Sequence, residues 1–247
     1  MRLSEHIYMV GGGLGGFGLS DKHDSNVYLI TDGTSATLID AGLGPGTDRI
    51  IENIEEDGVD PASIERLAVT HPHADHAGGC AALKKALGVE VYVPTGAKHW
   101  LEEADEDGIN LTRAKNAGGY YPEYRLEPVK VDFEVSDGDK VPAGTLQLET
   151  VWTPGHTSKH VCFVLRTGRT TSVFSGDFVF YQGRILQINT PDASLPDYSA
   201  SMDRFRDFGI DGLYPGHGAI SVSGGQSHVD RALAAFDRLA VPPNLNS

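Results

Sequence analysis

The stretch Thr70-His71-Pro72-His73-Ala74-Asp75-His76-Ala77-Gly78-Gly79 limits what this chain can become more than any other. Three histidines and an aspartate fall between positions 71 and 76, directly after the apolar run Leu67-Ala68-Val69. In an extended segment successive side chains point to opposite faces, so His71 and His73 share one side, with Pro72 stiffening the residue between them. The spacing predicts a helix over 77–87, apolar at Ala77, Ala81, Leu83 and Leu87. Asp75 and His76 then fall at its N-terminal edge, where an aspartate can cap free N–H groups. Such a strand–loop–helix junction aims several donors into one small volume. Imidazole nitrogen and carboxylate oxygen are the donors that zinc and its first-row neighbours take.

Composition narrows the classes around this stretch. With 247 residues, 40% hydrophobic, and no linker, low-complexity run or internal repeat, a single domain over 1–247 is expected. The 20 Lys and Arg against 34 Asp and Glu give a net charge of −14, which argues against binding nucleic acid through its phosphates. Cys80 and Cys162 alone make no disulfide framework. There is no apolar run of ~18 residues and no basic-then-apolar N-terminus, so no membrane span or signal peptide is expected and a cytoplasmic location is the default.

Along the chain, Ile7 to Val10 predicts a strand, followed by the glycine-rich Gly11–Gly18. A phosphate-binding loop would be followed by a helix; here Ser20-Asp21-Lys22-His23-Asp24 and then a strand follow, so a flexible hairpin with Phe17 at its tip is expected. Strands over 26–31 and 36–40 are joined at Asp32-Gly33, a hairpin signal. An amphipathic helix is expected over 48–57, a strand over 64–70 and another over 89–93; this βαβ alternation argues for helices packed on sheet. Residues 96–125 change character, with an acidic patch (Glu102, Glu103, Asp105, Glu106, Asp107) and the cluster Tyr120, Tyr121, Tyr124, and are expected to form an excursion near the site. Strands are then expected over 131–135, 146–153, 161–165 and 171–174, a loop over 191–196, helices over 198–208 and 229–239, and a frayed end over 242–247.

Three later places repeat one local pattern: a β run, a turn, then one metal-competent side chain. Trp152-Thr153-Pro154-Gly155-His156 presents His156, Phe174-Ser175-Gly176-Asp177 presents Asp177, and Tyr214-Pro215-Gly216-His217 presents His217. Glycine before each lets the backbone turn sharply. His6, His23, His99 and His228 lack such a setting and are expected to be ordinary surface or core histidines; His160 either orients a ligand or begins a strand. Asp40 ends an apolar strand and either caps the next turn or backs a ligand from behind.

The set H-x-H-x-D-H, then GH, GD and GH, resembles the metallo-β-lactamase superfamily over nearly the whole chain. The resemblance implies an α/β fold, a four-layer αβ/βα sandwich of the metallo-β-lactamase type. It implies His71, His73 and His156 on a first metal, Asp75, His76 and His217 on a second, Asp177 bridging both, and Asp40 behind them. Two divalent ions follow, zinc first, with iron and manganese as alternatives. The activity implied is hydrolysis of an ester, lactone or thioester carbonyl by a metal-bridging hydroxide, with Asp75 and Asp177 catalytic and Asp75 steering the nucleophile or carrying a proton. Because metal ligands must be deprotonated, such activity falls below about pH 6.

Departures from branches of the family narrow the substrate. Asp177, not a cysteine, occupies the bridging position, unlike the lactamases with a cysteine ligand. Glyoxalase II shares the seven ligands but adds a helical region whose basic residues grip glutathione, whereas Arg231 and Arg238 are the cations after His217 here. The acyl-homoserine lactonases are of similar length and carry a tyrosine three places after the bridging aspartate; here Phe180 stands there with Tyr181 beside it. A pocket lined by Phe17, Tyr120, Tyr121, Tyr124, Phe180 and Tyr181 would favour an acyl or aromatic small molecule, with no nucleic-acid or membrane partner and a homodimer allowed. The alternatives are a one-iron persulfide dioxygenase, a β-lactam hydrolase, and a metal-stabilised binding module.

Overall fold

Short strands of three to five residues, the first three of them apolar runs, build the first sheet of this computed structural model, which describes residues 1–245. Strands β1 (Ile7–Gly11), β2 (Val27–Thr31) and β3 (Ala36–Ile39) are buried throughout. β1 pairs antiparallel with β2 and β2 with β3, with Thr31 opposite Ala36 across the turn where Gly33 takes φ +90°. The glycine-rich 11–18 joins β1 to β2 as a turn-bearing loop, and the Leu14 N–H donates to the Lys22 carbonyl. From β3 the chain passes through α1 (Thr47–Glu56) to β4 (Ile64–Ala68), through α2 (Ala74–Ala77) and α3 (Cys80–Leu87) to β5 (Glu90–Pro94), and past α4 (Lys98–Glu102) and α5 (Leu111–Asn116) to β6 (Phe133–Val135). β3 to β6 pair in parallel, giving the order β1-β2-β3-β4-β5-β6. Helices over parallel strands bury both partners' apolar faces, here Ile50 and Ile54 of α1 and Leu83 of α3 with Val10, Leu38, Leu67 and Val91.

The single helix expected over 77–87 is two. It starts three residues earlier and is interrupted at Gly78-Gly79, where the Gly79 N–H donates to the Gly42 carbonyl at 2.9 Å; a Cβ at Gly79 would collide with the Ala41 carbonyl and one at Gly78 with the Tyr124 hydroxyl, so glycine is needed at both. Asp75 therefore lies inside α2. The residue in the capping position is His73, with no side-chain cap bond, so Asp75 does not cap.

A second sheet runs β11-β10-β9-β8-β7, built from β7 (Lys140–Ala143), β8 (Leu146–Trp152), β9 (Val161–Thr167), β10 (Thr170–Gly176) and β11 (Gly212–Pro215). β8, β9 and β10 pair antiparallel, and β11 joins β10 in parallel. Helices α6 (Leu195–Asp203) and α7 (Gln226–Phe236) follow, and Tyr198, Met202, Val229 and Leu233 pack with Val164, Val173, Phe178 and Phe205. By contacts the chain divides into two compact units, Met1–Val135 with Pro142–Thr145, and Ser136–Val141 with Leu146–Ser247.

Several sequence expectations are corrected here. β7 was not anticipated: it is four residues long with a proline inside. The helix expected over 198–208 begins at Leu195, where the Ser194 hydroxyl accepts from the Asp197 N–H and Pro196 fills the first turn, and it ends at Asp203. The closing helix spans Gln226–Phe236 rather than 229–239. The tail is not frayed over 242–245. The Ile185 N–H donates to the Pro243 carbonyl at 3.0 Å and the Leu245 N–H to the Ile185 carbonyl at 2.8 Å, while residues 246–247 lie outside the described residues. Cys80 and Cys162 are buried free thiols, and burial pushes the Cys162 thiol up to about 12. Among the described residues no helix is long and apolar enough to cross a membrane.

Candidate metal centre

In the first unit, β4 ends at Ala68 and the chain turns through His71 and His73 into α2. The His71 ring centroid lies 4.7 Å from that of His73 and 4.1 Å from that of His76, and all three rings are buried. Asp40 organises the cluster from behind. Its Oδ1 accepts from the Thr70 N–H at 2.7 Å, its Oδ2 accepts from Nδ1 of His76 at 2.8 Å, and the Thr70 hydroxyl donates to the same carboxylate. With that hydroxyl proton committed, Nδ1 of His71 donates to Thr70 Oγ1 at 3.1 Å. Both imidazoles therefore carry their proton on Nδ1 and keep the lone pair on Nε2, the state a metal ligand needs. The Tyr120 hydroxyl donates to Asp75 Oδ1 at 2.7 Å, and Asp75 Oδ2 lies 3.7 Å from Nε2 of His76.

In the second unit, the same logic fixes His156. Its Nδ1 donates to the Leu186 carbonyl at 2.6 Å, which leaves Nε2 as the lone-pair nitrogen, 3.4 Å from Asp177 Oδ2. The other oxygen of that carboxylate, Oδ1, lies 3.6 Å from Nε2 of His217. Each oxygen of Asp177 thus faces a different imidazole. The Asp177 N–H donates to Nε2 of His160 at 3.2 Å, and Nδ1 of His160 donates to Thr153, so His160 orients the backbone of Asp177. Gly155 (φ +151°) and Gly176 (φ +47°) make the expected sharp turns, and a Cβ at Gly155 would meet Tyr198 Cγ at 2.6 Å. At Gly216 it is the N–H that works, donating to the Gly176 carbonyl at 2.7 Å.

These distances and donor types fit divalent ions. Two donors ~2.0–2.2 Å from one tetrahedral ion stand ~3.3–3.6 Å apart. That is longer than a hydrogen bond and matches the 3.4 and 3.6 Å spacings about Asp177, with the 3.7 Å spacing of Asp75 and His76 just beyond.

The aromatic residues expected to line a pocket divide by setting. Tyr121 donates to Asp21 at 3.1 Å and Tyr124 to the Leu43 carbonyl at 2.8 Å. Phe17 is 44% exposed at its loop tip, Phe180 is 1% exposed, and Tyr181 is 42% exposed with its ring on His228. His228 accepts from the Gln182 N–H through Nδ1 and His6 bonds the Thr31 carbonyl, ordinary settings for both. His23 meets the Tyr121 ring at 4.6 Å and His99 lies on Trp100.

Three contributors were missed in the sequence. Thr70 had a signal, since it abuts the first histidine. The Leu186 carbonyl and Tyr198 had none; the buried Tyr198 hydroxyl donates to the Asp177 carbonyl at 2.7 Å and accepts from the Leu186 N–H at 3.3 Å.

A mixed α/β fold with two sheets, carrying histidines and aspartates of this kind at strand ends, is that of the metallo-β-lactamases. The chain belongs to the metallo-β-lactamase superfamily, whose family model matches residues 21–217. It is similar to hydroxyacylglutathione hydrolase of Nitrobacter hamburgensis, 32% identical over 191 residues that cover 76% of this chain and 58% of that protein. It is also similar to atrochrysone carboxyl ACP thioesterase of Aspergillus fumigatus, 25% identical over 197 residues, 79% of this chain and 51% of that one. Among solved structures, a metallo-β-lactamase of Cronobacter sakazakii matches with a TM-score of 0.71 at 21% identity, covering 97% of this chain and 96% of that one, a likeness of fold. The chain spans about half the length of several curated relatives it matches. The histidine and aspartate clusters suggest divalent metal binding.

Proposed function

We propose that this chain is a dinuclear metal-dependent hydrolase that opens the carbonyl of a thioester, ester or lactone, thioesters first. In this reading His71, His73, Asp75, His76, His156, Asp177 and His217 would be the residues that hold the ions, as the resemblance to the family implies. The observation that carries it is the Asp177 carboxylate, which turns one oxygen toward His156 and the other toward His217, an arrangement open to a ligand shared by two ions. The preference for thioesters rests on two relatives, one named a thioesterase and one named for an acylglutathione substrate.

Bound divalent ions supply a water of lowered pKa, near ~7, and Lewis-acid stabilisation of charge on a carbonyl oxygen. The protein's part is positional. Asp40 and the Leu186 carbonyl fix the proton on Nδ1 of His76 and His156, so each ring presents Nε2. His160 and Tyr198 hold the Asp177 main chain from both its N–H and its carbonyl. Asp75, whose Oδ1 accepts from Tyr120, would keep Oδ2 for a bound ion and so help to orient the nucleophile.

The test is turnover on a panel of acyl-thioesters, lactones and simple esters, for wild type and for His73→Ala and Asp177→Asn. Each substitution removes a group worth several kcal/mol to the transition state, so each should cut kcat/KM by ~1,000-fold or more. Undiminished turnover in either variant would overturn the assignment. A single iron per chain with oxygen uptake would favour the persulfide dioxygenase alternative instead.

A further inference from the structure

We propose that Tyr120 is a positioning residue for Asp75, delivered by a segment that three tyrosine hydroxyls fasten in place. The inference rests on the reading of Asp75 as a metal ligand. The excursion after α5 has no regular element over 117–125, yet it is tied down by three tyrosines, each donating to a different part of the same unit. Tyr120 reaches Asp75 Oδ1 at 2.7 Å, Tyr121 reaches Asp21 Oδ2 at 3.1 Å, and Tyr124 reaches the Leu43 carbonyl at 2.8 Å. Lys115 closes the base of the segment by donating to Glu106 and to the Tyr124 carbonyl. Tyr121 is gripped on its ring as well, by Lys22 at 4.6 Å and by the edge-on His23 ring at 4.6 Å. The Tyr120 backbone is thus set by its neighbours, and its hydroxyl is left to act on Asp75.

That action has a direction. Asp75 sits on the one-turn helix α2, and rotation about its Cβ–Cγ bond would swing the carboxylate plane away from His76. A phenol proton on Oδ1 selects one orientation and leaves Oδ2 toward His76, 3.7 Å from Nε2. A carboxylate held in this way presents one oxygen of defined direction to an ion. Partners that orient a ligand from behind typically change metal affinity by ~10–100-fold.

The experiment titrates the full chain with zinc against a chromophoric chelator, comparing wild type with Tyr120→Phe, Tyr124→Phe and Asp75→Ala, alongside the unfolding midpoint of each metal-free protein. Tyr120→Phe should weaken one of the two zinc ions by ~10–100-fold, with the other ion unchanged and the metal-free midpoint lowered no more than in Tyr124→Phe. Tyr124→Phe should lower the midpoint and leave zinc affinity at the wild-type value. Wild-type zinc binding in Tyr120→Phe would overturn the inference, and so would an equal loss in Tyr124→Phe, since the effect would then belong to docking of the segment. Asp75→Ala separates the two levels: loss of one zinc there with none in Tyr120→Phe leaves the proposed function standing and sinks only the role of Tyr120, whereas two tight zinc ions in Asp75→Ala remove Asp75 as a ligand and the inference with it.

Discussion

Asp40 shows how much a single residue can organise. It stands at φ +64°, a left-handed conformation that aspartate tolerates better than most side chains, at the point where β3 ends. That turn sends its carboxylate back toward Thr70 and His76, where it takes a backbone N–H, a hydroxyl and an imidazole N–H at once. Asp40→Asn keeps the volume and tolerates the same backbone, but replaces an acceptor oxygen by a donor NH2 against one of these groups. Zinc affinity should fall ~10–100-fold, measured by chelator competition, and a wild-type affinity would remove Asp40 from the account. Tyr198 works on the other half of the donor set. Its buried hydroxyl satisfies the Asp177 carbonyl and the Leu186 N–H together, so one side chain steadies both the aspartate and the residue that holds His156.

At the scale of elements, residues 243–245 are a brace rather than a loose end. They pair with Ile185, and the Asn244 amide donates to the Gln187 carbonyl at 2.7 Å, on either side of the Leu186 carbonyl that receives the His156 proton. Deleting the chain from Pro243 onward should lower the unfolding midpoint and release zinc more readily, read by midpoint and chelator competition together. Equal metal retention would show that Leu186 holds its place without the brace. These same elements show what the sequence could and could not disclose. The β2–β3 hairpin and the parallel strands were legible because apolar runs and turn residues act locally. The break at Gly78-Gly79 was not, because it depends on the Gly42 carbonyl, which takes the Gly79 N–H from elsewhere in the chain. Pro196 looked like loop punctuation, yet beside the Ser194 cap it starts a helix.

For the whole molecule, the candidate ligand letters stood out because H-x-H-x-D-H and the three glycine-preceded donors each sit in a local pattern. Their supports were not. The Tyr120 hydroxyl comes from 45 residues away from Asp75, the Leu186 carbonyl from 30 residues away from His156, and the Tyr198 hydroxyl from 21 residues away from Asp177. No periodicity links such positions; the fold alone brings them together. The central claim is that these side chains hold a pair of divalent ions, and elemental analysis of protein purified without chelator tests it most directly. The account predicts two zinc-class ions per chain in the wild type, falling to one in His217→Ala. A wild type that carries a single iron, or no metal at all, would contradict it.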